Sequence, residues 1–152
     1  MLVYRLAKAK FAKDLKGEGA RLYGGRWNHP GVPCIYTSAS RALALLEYTV
    51  NININDIPRA LSMVTINIPD DDIKIITKAR LPGNWMDKPV PEETKNFGSA
   101  LFKASGQLVI QIPSVVIPDE FNYLLNPLHK RAKEFKVVEV EDFVYDVRIK
   151  GI

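Results

Sequence analysis

The sequence predicts an α+β domain, with a small mixed β-sheet core and flanking helices. Three observations predict it. Short apolar runs, each of roughly four to eight residues and bounded by turn-forming residues, recur along the chain and read as strands. Only two stretches read as helices. Strands and helices do not alternate as regular βαβ units would. The 152 residues are most simply one domain, 1–152.

In chain order, Leu2 to Leu6 is the expected first strand. Lys8 to Gly19 is polar and basic, and reads as a loop or short helix. Val32 to Thr37 is a second strand. Ser38-Ala39-Ser40-Arg41 supplies helix N-cap chemistry ahead of Ala42 to Tyr48. There Leu43, Leu46, Glu47 and Val50 fall at i, i+3, i+4 and i+7, the spacing of a buried stripe. Glu47 thus occupies an apolar slot, which is costly for a carboxylate without partners. The ordinary alternative is a glutamate at the stripe's edge reaching solvent or a basic neighbour.

Asn51 to Asp56 reads as a loop and Ala60 to Ile68 as a strand stopped by Pro69. Ile73 to Ile76 is a short edge strand. Ala79 to Pro91 is a long loop packed by Trp85. Glu92 to Ala104 is the second helix, anchored by Phe97, Leu101 and Phe102. Gln107 to Pro118 holds two short strands hinged at Pro113-Ser114. Asp119 to Pro127 is turn-like, with Asn122 and Asn126 as its turn formers. Val137 to Val140 and Phe143 to Arg148 close the sheet as two strands.

Composition limits function. The hydrophobic fraction of 47% and charged fraction of 25% are those of an ordinary globular protein. A net charge of +4 favours anionic partners. His129-Lys130-Arg131-Ala132-Lys133 is the one basic run, and it reads as a solvated face. Cys34 is the single cysteine, which excludes an internal disulfide framework and fits a reducing compartment. No apolar stretch is long enough to span a bilayer, and the first residues lack a signal-peptide layout. A cytoplasmic location is expected, with no membrane partner and no metal site.

The stretch Arg21 to Asn28 concentrates the chemistry. Gly24-Gly25 needs a reason, either a tight turn or close approach of backbone to a ligand. Arg26 leaves that turn with a planar fork of donors that matches phosphate or carboxylate. Trp27 packs the turn, and Asn28-His29-Pro30-Gly31 closes it.

With Gly24-Gly25-Arg26-Trp27-Asn28, Gly31, Ile35-Tyr36-Thr37-Ser38 and Ala42 to Glu47 in place, the sequence resembles the RES domain family. That family is the toxin half of bacterial Xre–RES toxin–antitoxin pairs. Ile112-Pro113-Ser114 and Asn122 to Pro127 extend the match. The family is named for an Arg, a Glu and a Ser, here Arg26, Glu47 and Ser114. The resemblance spans nearly the whole chain, with little signal between Asn51 and Phe97. It implies a fold similar to ADP-ribosyltransferase toxins, with NAD bound in a cleft as substrate and no true cofactor. It implies cleavage of the nicotinamide–ribose bond, with water or inorganic phosphate as the second substrate. Some relatives instead pass ADP-ribose to a protein. It implies an Xre-type antitoxin covering the active site, so nucleic acid enters only through that partner. Homo-oligomerisation within such a complex stays open.

The residues can be matched to that chemistry. Cleavage passes through an oxocarbenium-like ribosyl centre. Arg26 suits the pyrophosphate. Tyr36 or Tyr23 could stack on the nicotinamide ring. Glu47 suits the developing positive charge and the ribose hydroxyls. Ser114 is a candidate hydrogen-bond partner to ribose, phosphate or Glu47, with a turn serine as the alternative, and Asn28 joins the binding set. His29 and Asn126 read as turn residues and Cys34 as core.

Overall fold

The structure is a computed structural model, described here for residues 1–151; Ile152, the last residue of the expected domain, lies outside the described residues. The strands are β1 (Leu2–Lys8), β2 (Ile35–Ser38), β3 (Leu61–Asn67), β4 (Ile73–Ile75), β5 (Val109–Pro113), β6 (Phe121–Leu125) and β7 (Lys136–Phe143). The α-helices are α1 (Glu18–Tyr23), α2 (Arg41–Asn51) and α3 (Glu92–Ser99). All strands join one seven-stranded sheet in the order β4-β5-β6-β2-β1-β3-β7. Only β4 and β5 run parallel; the other neighbours are antiparallel. The architecture is α+β with a mixed sheet, as the sequence predicts.

One face of the sheet carries Val3, Ile35, Val64, Val109, Tyr123 and Leu125. The opposite face is divided. Over β5, β6 and β2 lie Trp27, Trp85, Phe97 and Phe102 against Ile110, Ile112 and Leu124. Over β1 and β3, α2 sets Ala44, Leu45 and Tyr48 on Leu6, Leu61 and Met63. The sheet itself is split at the same place. β1 pairs with β3 from Leu2↔Asn67 to Lys8↔Leu61, yet pairs with β2 only at Tyr4↔Ser38. Past that pair β1 turns to the segment leading into α1, which Arg5 bonds at Ala12 O and Asp14 O.

Several expectations are corrected. Asp119 to Pro127 is not a turn: it contains β6, paired with both β5 and β2. Its asparagines are held by tertiary bonds, and burial of Tyr123, Leu124 and Leu125 outweighs their turn preference. The expected strand after Ser114 does not form, because Ser114 Oγ accepts the N–H groups of Val116 and Ile117 and turns the chain. The two closing strands are one, β7, and 147–149 is a 3-10 turn. On α2 the buried residues are Leu43, Ala44 and Thr49, while Val50 is 47% exposed. The helix is rotated from the expected stripe because its packing centres on Ala44, Leu45 and Tyr48.

Candidate active site

The glycine pair makes the turn that the sequence asks for. α1 ends at Tyr23, and Gly24 takes φ +71°, which a side chain disfavours. A Cβ on Gly25 would lie 2.7 Å from Tyr36 Oη. The close approach is therefore to a neighbouring side chain. Tyr36 Oη accepts the Trp27 N–H at 3.0 Å and donates to Asn28 Oδ1 at 2.6 Å. Asn28 Nδ2 donates to the carbonyls of Ala20 and Val32, both at 2.8 Å. Trp27 stacks on Trp85 and meets Phe97 edge-on. The turn, Tyr36 and the loop at Trp85 form one packed unit.

Asn28 is fully buried with both ends of its amide engaged, so it positions the turn and Tyr36. Tyr36 is half-buried on β2 and offers its ring. Burial pushes its phenol well up, with Cys34 adding to the effect, while the Trp27 N–H and the Arg26 charge oppose it.

Arg26 is half-buried. Its Nη1 donates to Trp85 O at 2.8 Å and to Asp87 O at 3.2 Å. Burial pulls its guanidinium below the ordinary value, and the nearby Glu47 carboxylate and Tyr36 oppose that pull. The structure thus brings Arg26, Tyr36 and Glu47 together.

Glu47 leaves α2 half-buried and reaches across to the sheet. Ser114 Oγ and Asn122 Nδ2 both donate to its Oε1 at 2.6 Å. Ser114 is fully buried at the end of β5. Glu47 is neither the edge glutamate in solvent nor one half of a buried salt bridge. Asn122 and its partner Ser38 are the residues sequence reasoning missed. Asn122 reads as a turn former in the sequence; the available signal is its place two residues before Leu124, which puts both on one sheet face if the apolar run Tyr123-Leu124-Leu125 is a strand.

The split between β1 and β2 opens into a cleft of about 830 Å³. Glu47, Tyr36 and Asn122 line it together with Arg5 and Leu6 of β1, and Tyr23 stands 83% exposed on its rim. Arg26 and Ser114 are not in its walls: Arg26 lies beside Glu47 and Tyr36, and Ser114 backs Glu47. Arg5, also unremarked in the sequence, bonds the segment leading into α1 through Ala12 O and Asp14 O, both at 2.9 Å. His29 turns away and bonds Asn96 of α3 at 2.6 Å. Cys34 is buried, and burial pushes its thiol well up, which suits core packing and not nucleophilic attack. Among the described residues no group of His, Cys, Asp and Glu could hold a metal ion, and no helix is long and apolar enough to cross a membrane.

A half-buried arginine, a tyrosine ring and a glutamate held by two donors thus lie together at a split sheet. The RES domain family model matches residues 2–146. The chain belongs to the RES domain family. Among its relatives, the "Prs ADP-ribosylating toxin" of Sphingobium sp. is 37% identical over 146 residues, covering 94% of this chain and 91% of that protein. "Toxin Res" of Photorhabdus laumondii is 35% identical over 152 residues, covering 98% and 97%. A chain of the crystal structure of the M. tuberculosis MbcT–MbcA toxin–antitoxin complex superposes with a TM-score of 0.75 at 20% identity, covering 94% of this chain and 84% of that one. At that identity the likeness is one of fold. It places the split sheet of this RES domain within a known architecture.

Proposed function

We propose that this RES domain is the toxin of a toxin–antitoxin pair and that it cleaves the nicotinamide–ribose bond of NAD in the cleft. The observation that carries the reading is the Glu47 carboxylate. It faces a cleft with one oxygen fixed by two donors and Oε2 without a hydrogen-bond donor among the described residues. A preorganised negative oxygen stabilises a developing ribosyl cation better than water does, because it need not reorient. As the bond breaks, its electron pair moves onto the nicotinamide nitrogen and neutralises the pyridinium. An oxygen lone pair from water or inorganic phosphate forms the new bond to the ribosyl carbon, and the proton it carries is released.

Arg26 has Nε and Nη2 free of acceptors among the described residues and can hold a diphosphate oxygen. The Tyr36 ring presents an aromatic face to nicotinamide; Tyr23 on the rim is the other candidate. NAD is then substrate and not cofactor. The partner is an antitoxin of Xre type that covers the cleft, in the cytoplasm, and nucleic acid is met only through it. The relatives named as toxins support this reading. The relative named as ADP-ribosylating favours a second one, in which a protein side chain takes the place of water or phosphate. Incubating the purified chain with labelled NAD, with and without inorganic phosphate, tests both. Free ADP-ribose marks hydrolysis, its phosphorylated form marks phosphorolysis, and label retained on protein marks transfer. Unconsumed NAD under all conditions overturns the proposal.

A further inference from the structure

Glu47 sits on a helix, but its carboxylate is held from the sheet. Asn122 of β6 donates from Nδ2 to Glu47 Oε1 at 2.6 Å. An asparagine side chain can present either its oxygen or its nitrogen, and presenting the oxygen here would set two acceptors against each other. The acceptor-only carboxylate therefore selects the nitrogen and leaves the amide oxygen for the strand on the other side. Ser38 Oγ of β2 donates to Asn122 Oδ1 at 2.7 Å. Ser38 is buried, and it pairs across the strands with Asn122 on one side and with Tyr4 on the other. The Tyr4↔Ser38 pair is the one joining β1 to β2, at the point where the sheet opens.

We infer that Ser38 and Asn122 form a positioning relay that sets the rotation of the Glu47 carboxylate. Oε1 is directed to the sheet and Oε2 to the reacting ribosyl centre. The relay rests on the reading of Glu47 as the catalytic carboxylate. Ser114, which donates to the same oxygen at 2.6 Å, fixes where Oε1 lies. One donor leaves the carboxylate free to swing about that contact. The second, from a different direction, removes the swing. Because the relay starts at the last β1–β2 pair, the geometry of the split is tied to the orientation of the reactive oxygen. Asn122 lines the cleft, so it acts at the site without being one of the reacting groups.

The test compares NAD turnover of the purified chain with that of Asn122→Ala, Asn122→Asp, Ser38→Ala and Glu47→Gln, each checked for folding by thermal melting. Asn122→Ala and Ser38→Ala should lower kcat roughly 10- to 100-fold, the scale of a misplaced catalytic group, with KM for NAD little changed. Asn122→Asp gives the readout that a merely structural role would not move. At low pH the introduced carboxyl is protonated and donates to Oε1 as the amide did, so activity is retained. As pH rises the proton is lost, and two carboxylates at this distance repel, so activity falls along a limb the parent chain lacks. Loss of activity in Glu47→Gln, with Asn122→Ala and Ser38→Ala folded and at wild-type kcat, overturns the relay and leaves the role of Glu47 standing. Full turnover in Glu47→Gln overturns both.

Discussion

The two walls of the cleft spend their polar groups in opposite ways. On the glycine-turn wall, the Tyr36 hydroxyl, the Asn28 amide and the Trp27 N–H satisfy one another, so what faces the cleft is mainly an aromatic ring. On the α2 wall, Glu47 has one oxygen bound to Ser114 and Asn122 and the other without a donor among the described residues. The first wall is a platform and the second carries the charge. Arg26 lies beside Tyr36 and Glu47, outside the cleft lining, with Nη1 tied to the loop carbonyls of Trp85 and Asp87. Substitutions on the charge-bearing wall should therefore cost activity, and those on the platform wall should cost stability first.

Glu47→Gln is the largest break. Glutamine keeps an oxygen to accept from Ser114 and Asn122, so melting should stay close to the parent. It puts a neutral amide where Oε2 stood, and turnover should fall on the order of 100-fold or more. Parallel measurement of melting and NAD turnover decides it; near-normal turnover in a folded variant would remove Glu47 from the chemistry.

Arg26→Lys comes next. Lysine keeps a charge but cannot hold the two carbonyls and a diphosphate together. The loss should be about 1.5–3 kcal/mol of charge-assisted hydrogen bonding. That corresponds to roughly 10- to 100-fold, read mainly in KM for NAD. An unchanged KM would show that Arg26 serves the Trp85 loop alone.

What was legible in the sequence follows the same division. The glycine turn could be read because each of its residues has a local reason, from positive φ at Gly24 to the fork of Arg26. Glu47 could be read because a carboxylate is conspicuous at helical spacing from Leu43. Of its partners, Ser114 could be named through the family resemblance, and its bond to Glu47 forms. Asn122 and Ser38 could not: they lie on β6 and β2, and their meeting with Glu47 depends on the sheet order, which no short-range pattern encodes. Asn122 misled, since asparagine is a common turn former, and β6 was lost with it. The bonds of Asn28 were hidden for a related reason: its partners at Ala20, Val32 and Tyr36 are brought to it by the folded turn and not by any short pattern.

Tyr36→Phe tests the platform wall. The ring remains, but the Trp27 N–H and buried Asn28 Oδ1 lose their partner. Unsatisfied buried groups should cost roughly 1–3 kcal/mol of stability, visible as a lower melting midpoint. Turnover at a temperature where the variant is folded should stay far closer to the parent than in Glu47→Gln. A collapse of kcat with unaltered melting would instead give the hydroxyl a part in the reaction.

Ser40→Ala has the smallest effect and asks what holds Glu47 in place. Ser40 Oγ accepts the Leu43 N–H at 3.1 Å and caps α2. Removing an N-cap of this kind costs about 1 kcal/mol, and the loss is felt in the first turn of the helix. Glu47 lies beyond that turn. If its carboxylate is oriented by Ser114 and Asn122, fraying at Ser40 leaves Oε2 where it was, and kcat holds while the melting midpoint drops. If the helix alone orients it, the same fraying loosens the carboxylate and kcat falls with stability. A urea melt and a kcat measurement on the one variant separate the two, and a fall in kcat would place the control of the site in α2 and not in the sheet.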